Sequence, residues 1–543
     1  MTAPAPSSAI APGTAVSTSL WSPLTLPVFR VLWIAMLTEN VCSWLMDMTN
    51  GWLMTSLSPS PLMVSLVQTA SLLPILLLAL PSGAVADIAN RRTILLCVEG
   101  GLAVINGALA LLVHLNVLTG PLLLLLIFAN GVVMAFGMPV WQAVTADLVP
   151  APQLSSAFLL NGIAVNIARG IGPVLAGVLL ATAGGPAMSF AVSCAGFLFV
   201  WFAVRTWPAT AAASSKLPPE RVLNAVVAGL RYARFDANLR TVVIRVVAFI
   251  FFATGFWAVA PLIGRGMIHL DALGYGAWMS TFGVGAILGG WLMSRIVAVL
   301  NLNLIVALNT ILMAAGMITI ALFPIRWVAF PIMFVVGGCW MMTLGSFVMA
   351  VQTNVPSWVR GRAVAIYFMV FQGAMAVSAA AWGAISQHYG LRAGLIYAAG
   401  GLVAALVTSL WWRLSLGETS LLVAHGRLPV IEITPALDTA QSPVLVTFEY
   451  RIQASDRAAF LLLMKAVSVL RQRNGVTQWG IYENLAAPGQ WHEGFVVDSI
   501  DEMERIRQRT TTADYAILQK VYALHQGGGA QPEVTRYLST LPA

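Results

Sequence analysis

Charge is what this chain has least of. Only 9% of its 543 residues are Asp, Glu, Lys or Arg, whereas soluble proteins carry about 25%. Hydrophobic residues make up 59% and the mean hydropathy is +0.83, which excludes a large soluble enzyme. Cysteine is scarce too. Cys42, Cys97, Cys194 and Cys339 all fall inside apolar runs, with no metal-ligand spacing and no disulfide framework. No metal, cofactor or catalytic residue is expected. A G-x-x-x-x-G-K-[ST] loop is also missing, so nucleotide hydrolysis does not drive this protein directly. The net charge is +8, yet Lys and Arg sit between apolar runs and not in a stripe. That pattern points to a bilayer as partner, with no nucleic acid. Residues 1–25 hold no charge and no sustained apolar stretch. They lack the basic start and apolar centre of a secretory signal, and a disordered tail is expected.

What the chain does have is long apolar runs. Six lie near 29–54, 62–85, 93–115, 121–144, 155–183 and 187–204. Six more lie near 241–263, 275–299, 302–323, 327–350, 362–388 and 392–414. Each approaches the roughly 20 residues a helix needs to cross a bilayer. Arg91, Arg92, Arg205, Lys216, Arg221, Arg231, Arg234, Arg240, Arg295, Arg360, Arg362 and Arg413 collect on one side of these spans. The positive-inside rule makes that side, and both termini, cytoplasmic. The halves repeat with a shift of about 206 positions, Val149-Pro150 falling on Val355-Pro356 and Gly177 on Gly383. Between them, 220–235 has apolar residues at helical spacing with arginines elsewhere, the pattern of an amphipathic helix on the cytoplasmic face.

The second and third runs are joined by Gly83-Ala-Val-Ala-Asp87-Ile88-Ala-Asn90-Arg91-Arg92. It resembles the loop between helices 2 and 3 of major facilitator superfamily transporters, G-x-x-x-D-R/K-x-G-R/K-R/K. Gly83, Asp87, Arg91 and Arg92 match, while Ile88 and Asn90 depart, Asn being tolerated where a left-handed turn is needed. In the fifth run Gly172, Pro173 and Gly177 resemble the G-P-x-x-G motif of facilitator-type exporters. The fourth run lacks the R-x-x-Q-G motif of many proton-coupled drug exporters, reading Ala129-Asn-Gly-Val132. The resemblance is to the enterobactin-exporter-like branch. It implies an all-α polytopic membrane protein with twelve transmembrane helices in two six-helix halves. It also implies a cytoplasmic gate at Gly83, Asp87, Arg91 and Arg92.

Several polar residues inside spans are candidates for the transport path. Glu39 lies near mid-depth of the first run, where a carboxylate is costly and is a functional hypothesis by default. Asp47 follows two turns on, and Arg169 is the basic residue well inside the first half, a candidate counter-ion for Glu39 or for an anionic substrate. Asn166, Trp141, Gln142, Trp257 and Gln372, with Asn50, Asn161, Trp340 and Gln352, suit a large, partly aromatic, weakly polar substrate.

From 443 onward the composition turns soluble. Strands are expected at 444–450, 477–483 and 491–497. Helices are expected at 456–472 (capped by Ser455), at 499–509 (entered by a Ser499/Glu502 capping box) and at 515–525. This β-α-β-β-α order resembles the ferredoxin-like, dimeric α/β-barrel domains of antibiotic-biosynthesis monooxygenases. The expected organisation is 1–25 tail, 26–205 first half, 206–240 linker, 241–416 second half, 417–442 linker and 443–543 α+β domain. The resemblance implies a proton-coupled exporter of a small amphipathic, drug- or siderophore-like molecule across the bacterial inner membrane. An importer or uniporter of the same fold, or a membrane-tethered enzyme using the C-terminal domain, are the alternatives. That domain is a candidate for self-association or partner docking.

Overall fold

The computed structural model describes residues 19–207, 229, 231–423, 442–526 and 531–539. Twelve long helices form its main body. The first six are α1 (Pro27–Leu57), α2 (Pro61–Ile88), α3 (Arg91–His114), α4 (Gly120–Leu148), α5 (Leu154–Leu180) and α6 (Gly185–Thr206). The second six are α7 (Ala237–Trp257), α8 (Ala272–Ile296), α9 (Leu302–Leu322), α10 (Arg326–Asn354), α11 (Ser357–Tyr389) and α12 (Leu391–Ala405). α7 continues through Ala260–Leu262 and a π-helical turn at Ile263–Met267. Their starts follow from local chemistry. Proline stands at the first or second position of α1, α2, α4 and α6, where its missing N–H costs nothing. Ser60, Asn90, Asp236, Asp271 and Asn301 cap α2, α3, α7, α8 and α9 with a side-chain oxygen.

Eleven of the described helices are long and apolar enough to cross a membrane. The exception is α8, 25 residues that include Gly274, Gly276, Gly283, Gly285, Gly289 and Gly290. Those glycines lower its hydropathy, and they also let it pack backbone to backbone. A Cβ on Gly285 would lie 1.9 Å from the Phe334 carbonyl oxygen, and one on Gly337 2.1 Å from that of Phe282. α8 thus sits in the bundle by close backbone contact.

The repeat seen in the sequence has a structural counterpart. Val149 and Val355 are both extended before proline, ending α4 and α10. Gly177 packs on Ala272 and Gly276 of α8, and its twin Gly383 packs on Leu62 and Ser65 of α2. Each of these contacts joins one half to the other.

Four sequence expectations need correction. The join between the second and third runs is shorter than their expected ends at 85 and 93: α2 runs to Ile88 and α3 starts at Arg91. Asn90 is no left-handed turn residue either. At φ −64° it is an N-cap, accepting from the N–H groups of Arg92 and Thr93. Residues 22–25, expected within the tail, form a 3-10 turn that buries Pro23, and 1–18 lie outside the described residues. Ser455 does not cap the following helix, which starts after Asp456, and its hydroxyl bonds Gln453 instead. Of the amphipathic stretch, 220–228 and 230 lie outside the described residues, and 231–235 is helical.

The C-terminal domain comprises β1 (Val444–Arg451), α13 (Arg457–Asn474), β2 (Gln478–Glu483), β3 (Gln490–Val497), α14 (Ile500–Arg509), α15 (Thr512–Tyr522) and β4 (Glu533–Leu538). The strands form an antiparallel sheet in the order β2-β3-β1-β4. That is a ferredoxin-like sheet, completed by a fourth strand the sequence pattern did not suggest. The domain rests on the second half. Arg473 lies 3.5 Å from Asp236, the cap of α7, and covers the Tyr232 ring. Arg509 stacks at 4.7 Å over Trp358 in the first turn of α11. The Thr512 N–H donates to the Val423 carbonyl at 3.0 Å.

Candidate functional site

Glu39 lies about 18 Å along α1 from Pro27 at 1.5 Å per residue, and it is buried. It faces the interior of the first half, where Glu99 of α3 and Cys42 are its electrostatic neighbours. Glu99 is fully buried. Trp141 of α4 is the donor beside it, although the Trp141 indole nitrogen and both Glu99 oxygens lack a partner at hydrogen-bonding geometry. Two carboxylates and an unused donor therefore meet between α1, α3 and α4. Sequence reading missed Glu99. The rule that selects Glu39, an acid inside an apolar run, selects it too, but its place soon after Arg91-Arg92 makes it look like a helix end.

Arg169 does not join Glu39. Its guanidinium reaches Asn166 at 3.5 Å and the Met341 sulfur of α10 at 3.7 Å, and it lies 5.7 Å above the Trp44 ring of α1. Three residues beyond Trp44 on α1 comes Asp47. Asp47 keeps exposed surface in a position deep within the bundle, which is how a side chain bordering an internal cleft behaves. Successive helix residues turn about 100°, so Asp47 points about 80° away from Glu39. The two acids belong to different environments: Glu39 inside the first half, Asp47 at the seam between halves.

The α5 glycines shape that seam. A Cβ on Gly172 would lie 2.5 Å from the Trp44 Cβ, and one on Gly177 3.0 Å from the Ala272 carbonyl oxygen. Gly172 thus sets the approach of α1, and Gly177 that of α8, with Pro173 buried between them. On the second half, Trp257 packs edge-on against Phe282 at 4.6 Å and Trp340 at 5.4 Å. Trp340 continues to Phe371, beside Gln372 on α11. Gln142 is exposed, Asn161 donates to Thr145 at 2.9 Å, and Asn50 is buried with its Oδ1 unpaired.

Arg91 pairs with Asp147 at the end of α4, and Arg92 donates to the Arg205 carbonyl at the end of α6. Both partners belong to the first half. The Asp87 side chain lies outside the described residues; its backbone is in the last turn of α2. Contacts between the halves gather toward the opposite end. Arg265 donates to Thr55 at 2.9 Å and Ser56 at 2.5 Å and covers the Trp52 ring. Trp52 stacks on Tyr275 at 5.3 Å, Ser60 donates to Gln387 at 2.7 Å, and Thr69 to the Ala376 carbonyl at 2.8 Å. The halves are stitched together on the side away from Asn90.

In the C-terminal domain Glu493 is buried and holds Arg471, Tyr450 and Trp479. Trp491 packs against Phe460 in the core and Tyr482 is exposed. These aromatic residues build the sheet and do not converge on a reactive pair.

The sequence profile of a family described as transmembrane secretion effector matches residues 18–542. The chain is 26% identical over 160 residues to the staphyloferrin A transporter of Staphylococcus aureus, a match covering 29% of this chain and 40% of that protein. The chain thus spans well under half the length of that relative. A bacterial homolog of the human lysosomal transporter Spinster, solved inward-facing and unoccupied, shares the fold. Its TM-score is 0.56 at 13% identity, over 72% of this chain and 98% of that one. A D-xylose-proton symporter gives a TM-score of 0.54 at 16% identity, over 72% of this chain and 97% of the other. At these identities the likeness is one of fold.

Proposed function

Since the chain belongs to the transmembrane secretion effector family, and with it to the major facilitator superfamily of membrane transporters, we propose that it is a proton-coupled exporter of a small amphipathic, siderophore-like molecule. The observation that carries this reading is the seam, where Arg169 touches α1, α5 and α10 together. A cation in contact with both halves is placed to hold an anionic or chelating solute. Its grip changes when the halves move apart, which is what alternating access requires. The siderophore class is supported by the staphyloferrin A transporter, and export by the family description.

Glu39 and Glu99 are the proposed proton site. Two buried carboxylates without a cation between them are costly when both are charged. Uptake and release of a proton there, with Trp141 as the adjacent donor, ties protonation to the packing of α1 on α3. The hairpin residues Gly83, Asp87, Arg91 and Arg92 form the cytoplasmic gate. The bonds of Arg265 to Thr55 and Ser56 join the halves on the far side, which supports loading from the hairpin side.

The test is mass spectrometry of cells and medium from a deletion strain, compared with strains re-expressing the wild type, Asp87→Asn or Glu39→Gln. A compound should accumulate inside the deletion strain, leave with the wild type, and stay with either variant. A compound that instead vanishes from the medium only with wild type makes the protein an importer. Efflux that keeps its pH dependence in both Glu39→Gln and Glu99→Gln refutes the proton site.

A further inference from the structure

The C-terminal domain holds a partly open cavity of about 130 Å³ between its sheet and its last two helices. Phe448 and Phe495 of the sheet, Ile506 of α14 and Leu518 of α15 give it apolar walls. Arg507 and Arg536 line it with Tyr515 and Tyr522, buried Arg471 lines it beside Phe448 and Phe495, and no carboxylate is among its lining residues. Arg471 and Arg507 have acidic partners in Glu493 and Glu504. Arg536, on β4 opposite Val446, is exposed and has no ion-pair partner among the described residues. The size is informative, because an apolar cavity of about 150 Å³ takes up benzene. One aromatic ring fills this space, and the arginine edge selects for a negative charge attached to it.

We propose that this cavity is a binding site for a small aromatic carboxylate, and that its occupancy is passed to the membrane helices through α14 and α15. Both helices have one face on the cavity and another linked to the second half, α14 directly and α15 through Arg473. α14 puts Ile506 into the cavity wall and, less than a turn later, Arg509 onto Trp358 of α11. α15 puts Leu518 into the wall, and its Asp514 binds Arg473, which also reaches Asp236 at the start of α7. A ligand that shifts either helix bears directly on the ends of α7 and α11. The site is independent of the transport direction and of the proton pair, since none of their residues lines it.

Full-length protein in phosphatidylcholine nanodiscs is titrated with radiolabelled benzoate and, separately, with neutral benzamide. Benzoate should bind saturably, at one per chain, and benzamide at least tenfold more weakly. Arg536→Gln and Leu518→Trp should each weaken benzoate at least tenfold. Leu518 is nearly fully buried and its replacement can unfold the domain, so Met503→Trp at the half-buried rim serves as the second blocking variant. Amide hydrogen exchange at 357–362 should change on binding. Equal affinity for benzamide overturns the charge selection. Binding unaffected by Met503→Trp puts the ligand elsewhere, and absence of saturable binding of benzoate, phenylacetate and salicylate removes the site. Binding with unchanged exchange at 357–362 removes the coupling to the helices.

Discussion

Glu493 sits fully buried in β3 and accepts from Arg471 at 3.0 Å, Trp479 at 3.0 Å and Tyr450 at 2.9 Å. Burial works against the Arg471 charge, but the Glu493 carboxylate outweighs it and raises the guanidinium pKa above its usual range. Arg471 is also flanked by Phe448 at 4.9 Å and Phe495 at 4.7 Å. Removing one partner of such a pair leaves a buried charge alone, at a cost of about 3–5 kcal/mol. Glu493→Leu should therefore lower the stability of the domain by that amount in urea melts followed by Trp479 fluorescence. A loss under about 1 kcal/mol, within the range of an ordinary exposed ion pair, means that the network does not hold the fold. At this scale the sequence was uneven. Glu39 and Arg169 were visible as charges inside apolar runs, but their partners were not. Which neighbour a helical side chain meets depends on its angle around the helix and on a packing partner far away in sequence. That is why Glu99 and Met341 entered only with the structure.

Helices were the most legible elements, since a run of about 20 apolar residues has few other uses. The run near 275–299 does form a helix, α8, although its glycines leave it outside the eleven described helices long and apolar enough to cross a membrane. Its packing makes a sharp prediction. Gly285→Ala and Gly337→Ala each place a Cβ against backbone on the opposing helix, at 1.9 and 2.1 Å. Backbone cannot swing aside as a flexible side chain can, so each should cost more than the roughly 1–3 kcal/mol typical of overpacking. Gly345→Ala, with nothing within 4 Å of its Cβ, should be neutral. Thermal unfolding of the purified protein measures this, and equal stability of all three would refute the close α8–α10 contact. β4 stayed hidden for the opposite reason. Glu533–Leu538 is an edge strand with a mostly exposed pattern, so it lacks the apolar alternation by which strands are recognised. Its place beside β1 comes from the sheet register, which local pattern does not carry.

For the whole molecule, the two-half organisation was written in the repeat, because Gly177 and Gly383 serve equivalent contacts in each copy. The seating of the C-terminal domain was not, because Asp236–Arg473 and Trp358–Arg509 are single contacts between residues more than a hundred positions apart. The closed side was equally hidden, since Thr55, Ser56 and Arg265 look like ordinary loop-end residues until they meet. Their meeting joins the halves at that end, and the sidedness of access can be measured. In a variant with Cys42, Cys97, Cys194 and Cys339 replaced by serine, Asp47→Cys reports access to the cleft. A membrane-impermeant maleimide should label it at least tenfold faster in inside-out vesicles than in right-side-out ones, if the arginine-bearing hairpin side faces the cytoplasm as proposed. Adding Arg265→Ala removes the bonds to Thr55 and Ser56 and should raise labelling from the outside, by shifting the population toward the outward-open state. Faster labelling from the outside in the parent variant would mean that the resting protein opens away from the hairpin. The loading geometry proposed for export would then be wrong, while the seam itself would remain the solute path.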